Sequence, residues 1–336
     1  MRAWDESSNA TGPRGDGARG AADAPPDGPT TAEHGHPHGP REPGARPIIG
    51  IVGAGAVGTA LGVALQRAGW PVHAVASRDA GRRDRFRSLV DVEHAFVDAQ
   101  PLVEEVELVI LAVPDDALAS VARGIRLYGG QALVHTSGAV GADVLAPAMA
   151  AGTQIGSFHP LVAFADTERA VAALRGATVA IEGDDQLASL LGDMAGAIGA
   201  SPVRLAPGTK AAYHAAAVLA AGGFVALLDA IAELGRVAGL EEAGSLAIYG
   251  PLIEGTLGNA RSLGIRAALT GPITRGDVGT VRAHVAALEA HAPGVMPLYR
   301  AAAEREIELA VGRRVLAPEV AAEVRAVLVP ALASRD

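Results

Sequence analysis

The chain has 336 residues, a formal net charge of −9 and no cysteine. An acidic balance argues against non-specific nucleic-acid binding, which needs a basic footprint, and the missing thiols exclude disulfides, thiolate metal sites and a cysteine nucleophile. Apolar residues make up 49% but aromatics only 3%, so a core must be assembled from Ala, Val and Leu, which suits close-packed helices and parallel strands.

Residues 1–46 are rich in Gly, Pro, Ala, Asp and Arg without apolar periodicity, and are expected to form a disordered tail because they cannot bury enough surface to offset ordering. His34, His36 and His38 alternate within it and read as part of a solvated tail rather than as a metal tract. At Pro47 the pattern changes. IIGIVG is a short apolar run ending in the turn Gly53-Ala54-Gly55-Ala56-Val57-Gly58, and the residues from Ala56 to Gly69 follow with helical spacing. Further strands are expected at 72–77, 95–98, 108–113, 132–137, 153–158, 177–183 and 201–206, with helices between most of them and one at 185–198. This alternation predicts an α/β Rossmann domain, a doubly wound parallel sheet, over 47–206.

After Pro207 the strand signals stop. A long helical stretch from Ala211 to Gly239, apolar on more than one face, is followed by helices at about 241–262, 277–291, 294–312 and 317–333. Residues 207–336 are therefore expected to form an all-α domain for substrate binding and dimerisation. A monomer would struggle to cover that long apolar helix, so a homodimer is predicted. No uninterrupted apolar run reaches bilayer length, and the N-terminus lacks the apolar stretch of a signal peptide. The expectation is a soluble cytoplasmic protein without a membrane or nucleic-acid partner.

The glycine turn follows a strand and opens a helix, the setting in which G-x-G-x-x-G acquires a mechanism. Gly53 permits the tight turn, Gly55 admits a pyrophosphate to the backbone, and Gly58 lets helix and strand pack closely. Ala56 and Val57 begin the helix, whose N-terminus offers N–H groups and a positive dipole end. A dinucleotide is the expected ligand. At the end of the second strand stand Ser77 and Arg78, and a hydroxyl beside a guanidinium suits a 2′-phosphate, so NADP is favoured over NAD. Asp79 keeps NAD open, since a slight shift would place it on a ribose hydroxyl. Val113 and Pro114, after the fourth strand, should run beside the cofactor.

With the glycine turn, the strings VHTSG (134–138), GSFHPL (156–161), KAAYHAAAV (210–218) and LTGPITRGDVGTVRAH (269–284) resemble a bacterial Rossmann-like family. Its C-terminal half is catalogued as domain of unknown function 2520. The family is similar to the pyrroline-5-carboxylate reductase and 6-phosphogluconate dehydrogenase groups, and some members are regarded as an alternative ketopantoate reductase. The resemblance spans 47 to about 325 and implies a helical domain like the C-terminal one of 6-phosphogluconate dehydrogenase. In one respect the chain departs from it, with Ala221-Gly222-Gly223 where the family often reads Ala-Ser-Asn.

Lys210 and His214 stand four apart on a helix and so share a face; Lys210 is the only lysine in the chain. With the family match, its position implies a general acid or a stabiliser of a developing alkoxide. His159 follows a strand end, where ligand crevices of parallel sheets lie, and is a third candidate catalytic residue. Thr136, Ser137 and Gly138 form a small polar turn that could hold a substrate carboxylate, as could the guanidinium of Arg275. His135 reads as a packed histidine, Tyr213 and Tyr249 as packing residues, and Asp277 as a helix cap. Scattered His and Asp residues lack ligand spacing, so no metal is expected. The resulting expectation is an NADP-dependent reductase of a small 2-oxo acid, with ketopantoate first. An imine reductase and a non-catalytic NADP-binding regulator are the alternatives.

Overall fold

A computed structural model describes residues 45–164, 166–206 and 208–329; the histidines at 34, 36 and 38 lie outside them, as does any helix beyond 329. The first part of the chain runs β1 (Ile49–Val52), α1 (Ala56–Arg67), β2 (Val72–Ala76), α2 (Ala80–Leu89), β3 (His94–Phe96), α3 (Ala99–Val103), β4 (Leu108–Leu111), α4 (Asp115–Gly124) and β5 (Ala132–His135). It continues through a 3-10 segment (Ala142–Ala148) to β6 (Gln154–Pro160), α5 (Thr167–Leu174), β7 (Thr178–Glu182), α6 (Asp185–Ala197) and β8 (Ser201–Arg204). The strands form one sheet in the order β3-β2-β1-β4-β5-β6-β7-β8. Strand order reverses between β1 and β4, and the crevice beyond their carboxyl ends is where such sheets bind ligands.

The expected doubly wound, predominantly parallel sheet is present, with one antiparallel pairing. β1 to β6 are parallel, but β7 pairs antiparallel with β6, and β8 pairs parallel with β7. The link from β6 to β7 begins and ends at the same end of the sheet, because Leu161 N–H donates to Thr178 O, and its helix α5 packs against α1 instead of crossing over. Apolar cores lie on both faces of the sheet: Ile51, Val75, Ile110, Val134 and Phe158 on one, Val52, Leu111, Leu118 and Leu133 on the other.

The helical part comprises α7 (Lys210–Val218), a π-helical turn (Leu219–Gly223), α8 (Phe224–Val237), α9 (Glu242–Leu263), α10 (Ile265–Ala268), α11 (Val278–His291), α12 (Met296–Gly312) and α13 (Pro318–Leu328). The long expected helix thus carries a π-helical turn that includes Gly222 and Gly223. A third core joins Ala230 of α8 to α11, α12 and α13 through Val281, Leu288, Ile307 and Val324. Asp277 caps α11, accepting from Thr280 N–H at 3.0 Å.

α8 and α9 pack on one another yet leave much of their apolar surface, and that of the preceding π turn, uncovered: Leu219 in the turn is 72% exposed, Leu252 66% and Val225 64%. Lys210–Val237 is moreover one continuous helical run long and apolar enough to cross a membrane.

Candidate active site

The glycine turn is built by steric necessity. Gly53 has φ +110°, and a Cβ there would strike the carbonyl of Ala112 on the neighbouring strand. A Cβ on Gly58 would strike the carbonyl oxygen of Gly53, so α1 can approach β1 only because position 58 is bare. Gly55 differs, because nothing lies within 4 Å of its missing Cβ. It is the N-cap of α1 and makes no side-chain cap, so the amides of Ala56 and Val57, which lack intrahelical acceptors, face open space. This cradle fits an anionic diphosphate.

The cradle lies midway along a cleft of about 1120 Å³. One end is lined by Ser77, Arg78, Asp79 and Arg82, the middle by Val113, Pro114 and Asp115, and the other end by Thr136, Ser137, Gly138, Phe164 and His214. At the first end, Asp79 is already committed. Its carboxylate caps α2 by accepting from Arg82 N–H at 3.0 Å and lies 3.5 Å from the Arg82 guanidinium. Arg83 donates to the Ser77 carbonyl and holds the loop. The Ser77 hydroxyl and Arg78 remain available, which suits a phosphate better than a ribose diol.

At the far end, the sheet register places His135, Ser157 and Glu182 level with one another on β5, β6 and β7. Lys210, at the start of α7, reaches down onto this row. Its ammonium donates to Ser157 Oγ at 2.5 Å and Glu182 Oε2 at 2.6 Å, and Ser157 donates to the same carboxylate at 2.8 Å. Burial raises the Glu182 pKa, but hydrogen bonds from Lys210 and Ser157 outweigh it and hold the carboxyl below its ordinary value. Lys210 is only 3% exposed and does not line the cleft. The ammonium, expected to act as a general acid or to stabilise an alkoxide, is held here in an ion pair that anchors α7 to the sheet.

The same helix face carries Tyr213 and His214. Their rings stand edge-on to His159, with centroids at 5.8 and 5.9 Å. Gly138 fits between the imidazoles, and a Cβ there would collide with His214 and with His159 Nε2. His159 Nδ1 and the Tyr213 hydroxyl are buried with no protein partner. Burial raises the Tyr213 pKa, so this phenol stays protonated. Glu182, Ser157 and Phe164, which no motif singles out, also reach this region from separate elements.

Other expected contacts are redistributed. The Ser137 hydroxyl accepts from Ala139 N–H and Val140 N–H at 3.2 and 3.1 Å, closing its own turn. Thr136 Oγ1 reaches the Leu111 carbonyl at 3.4 Å. Arg275, expected as a substrate clamp, is exposed and does not line the cleft.

His135 behaves as a packed histidine. Nδ1 accepts from Ser137 N–H at 3.1 Å, leaving Nε2 to donate to the Gly141 carbonyl at 3.2 Å. Burial and then the Lys210 charge push its pKa down to about 4; burial, Lys210 and His214 do the same for His159. Both folded values lie below the unfolded value of about 6.5. The unfolded chain therefore takes up protons first, so this stability is fully present above about pH 6.5 and is lost as the pH falls toward 4, by on the order of 3 kcal/mol per ring. Urea midpoints measured across that interval should fall steeply, and His135→Gln should flatten the fall.

These features define a two-domain Rossmann protein with a ligand cleft at its topological switch point. Comparison of sequences makes the description specific: a Rossmann-like domain family matches residues 37–160, and the domain of unknown function DUF2520 matches residues 177–306. The two models match consecutive parts of the chain, each less than half of it. No curated protein matches it. Among solved structures, a protein of Thermotoga maritima is 26% identical, covering 80% of this chain and 100% of its own, with TM-score 0.62. A candidate NADP oxidoreductase from Bacteroides fragilis is 24% identical, covering 78% and 98%, with TM-score 0.63. A reductive aminase from Aspergillus terreus, solved with NADPH and ethyl levulinate, is 17% identical, covering 84% and 99%, with TM-score 0.59.

Proposed function

We propose that the protein is an NADP-dependent oxidoreductase that reduces a small 2-oxo acid, with ketopantoate the first substrate to test. The observation that carries this reading is the continuity of the cleft, from Ser77 and Arg78, past the bare Gly55, to His214 and Gly138. Proteins of the same fold include the candidate NADP oxidoreductase and the NADPH-bound aminase. NADPH, when bound, supplies a hydride. Ala56 and Val57 would hold its diphosphate, Ser77 and Arg78 its 2′-phosphate, and Val113 and Pro114 would flank it. His214 and the Tyr213 hydroxyl are the donors nearest the substrate end, with His159 neutral behind them.

One observation favours an imine over a ketone: Lys210 is tied to Glu182, so no free ammonium stands at that end. An iminium arrives already protonated and asks less of the protein. A pyrroline-5-carboxylate reductase from Streptococcus pyogenes shares the fold, at 18% identity and TM-score 0.56. Purified protein with NADPH and a panel of ketopantoate, other 2-oxo acids and cyclic imines should show loss of nicotinamide absorbance. NADPH binding without turnover across the panel would overturn the reading in favour of a regulator. Arg78→Ala should weaken NADPH by about 10- to 100-fold, the worth of a charge-assisted hydrogen bond, while leaving NADH unchanged.

A second copy of the chain is the proposed cover for the exposed apolar faces of α8 and α9. Light scattering at micromolar concentration should give twice the chain mass, and a monomer there would refute the pairing.

A further inference from the structure

The geometry points to a divalent transition-metal site, suited to zinc, formed by His73, His94 and Glu105 at the amino ends of the strands, opposite the cleft. Their three ligand atoms all lie within 4.8 Å of one another. Glu105 Oε2 is 2.7 Å from His94 Nδ1 and 3.6 Å from His73 Nε2. Ligand atoms held tetrahedrally around zinc at about 2.0–2.1 Å are roughly 3.3 Å apart, so the Glu105 oxygen needs to shift by less than about an ångström from each imidazole, and the imidazole nitrogens by at most about 1.5 Å from one another. Two imidazoles and one carboxylate, with a solvent-facing fourth position, form a ligand set that zinc accepts.

A backbone irregularity assembles this cluster. Ile49 pairs with Val72, but Gly50 pairs with Ala74, so β2 carries one extra residue, His73. Val72 packs into the core on one face of the sheet and Ala74 into the core on the other. The alternation breaks at His73, as it does when a β-bulge re-aims a side chain. The His73 ring comes to rest 5.6 Å from that of His94 on the neighbouring strand. A carboxylate also stands behind it: Glu93 Oε1 is 3.7 Å from His73 Nδ1, on the side of the ring away from Glu105. Metal-bound histidines commonly present their other nitrogen to such a carboxylate, which fixes the ring.

β3 is only three residues long and lies at the edge of the sheet. A metal would clamp it to β2 and to the turn before β4. No motif could announce this site, because its ligands come from three elements without a characteristic spacing.

The test uses the tag-free full-length chain, stripped with chelator, carrying His34→Ala, His36→Ala and His38→Ala so that the tail cannot contribute. Dialysis against Zn²⁺ should load one ion per chain, and Zn²⁺ should raise the thermal midpoint. Co²⁺ should give the visible absorption of a four-coordinate site. His94→Ala, at a half-exposed position, should keep the fold and bind Zn²⁺ at least about 100-fold more weakly, the upper end of what losing even an outer-shell partner costs. Glu105→Gln should do the same and decides the matter if His94→Ala does not fold. Absence of stoichiometric zinc in the folded parent, or zinc affinity unchanged in a folded variant, overturns the proposal.

Discussion

Lys210→Met is expected to destabilise the protein by about 3–5 kcal/mol, the usual consequence of leaving one member of a buried ion pair uncompensated. Glu182 would keep only Ser157 as a donor, in a place where burial already opposes its charge. The double variant Lys210→Met with Glu182→Met should recover most of the loss, because two apolar side chains leave no orphaned charge. Chemical denaturation of the three variants gives the coupling directly. If Lys210 acted instead as a free acid in the cleft, Lys210→Met would lower kcat with little change in stability, and the second substitution would restore nothing. The distinction matters because α7 also carries Tyr213 and His214. Loosening its anchor should displace both from His159, so catalytic loss in a folded Lys210 variant would report misplacement, visible as a joint change in kcat and KM.

Gly55→Ala should separate folding from cofactor binding. Its Cβ would meet no protein atom within 4 Å, so stability should change by less than about 1 kcal/mol, the ordinary range for a surface site. That same Cβ would enter the space a diphosphate needs, and NADPH affinity should fall by at least about tenfold, the equivalent of 1.4 kcal/mol. Gly58→Ala should behave in the opposite sense. There the new methyl meets the backbone carbonyl of Gly53, and relief requires α1 to move off β1. The expected result is loss of stability first and of binding as a consequence. Thermal melts with and without NADPH distinguish the two, since only Gly58→Ala should lower the midpoint of the unliganded protein. Equal effects from both substitutions would mean that Gly55 does not form the cradle.

What could be read from sequence was local. The apolar run from Ile48, the glycines at 53, 55 and 58, and helical spacing after Ala56 specify a strand-turn-helix unit, because each requirement lies within a few bonds. Ser77 and Arg78 follow from the same logic at the next strand end. The Asp277 cap was legible too, since it needs only the amide three residues on. Even the split into sheet and helical halves rests on periodicity, which is a property of neighbours.

Decisions that needed the whole fold were pairings between distant segments. Nothing in ATVAIEG states that β7 runs antiparallel to β6, because strand direction is set by where the connecting helix packs. The partner of Lys210 is 28 residues away, and its capture by Glu182 turned a presumed acid into an anchor. Arg275, plausible beside a substrate by chemistry, is not among the residues lining the cleft. His73, His94 and Glu105 converge because a single extra residue in β2 moves one side chain across the sheet. In each case the chemistry belongs to residue types visible in the sequence, whereas their proximity is a consequence of packing.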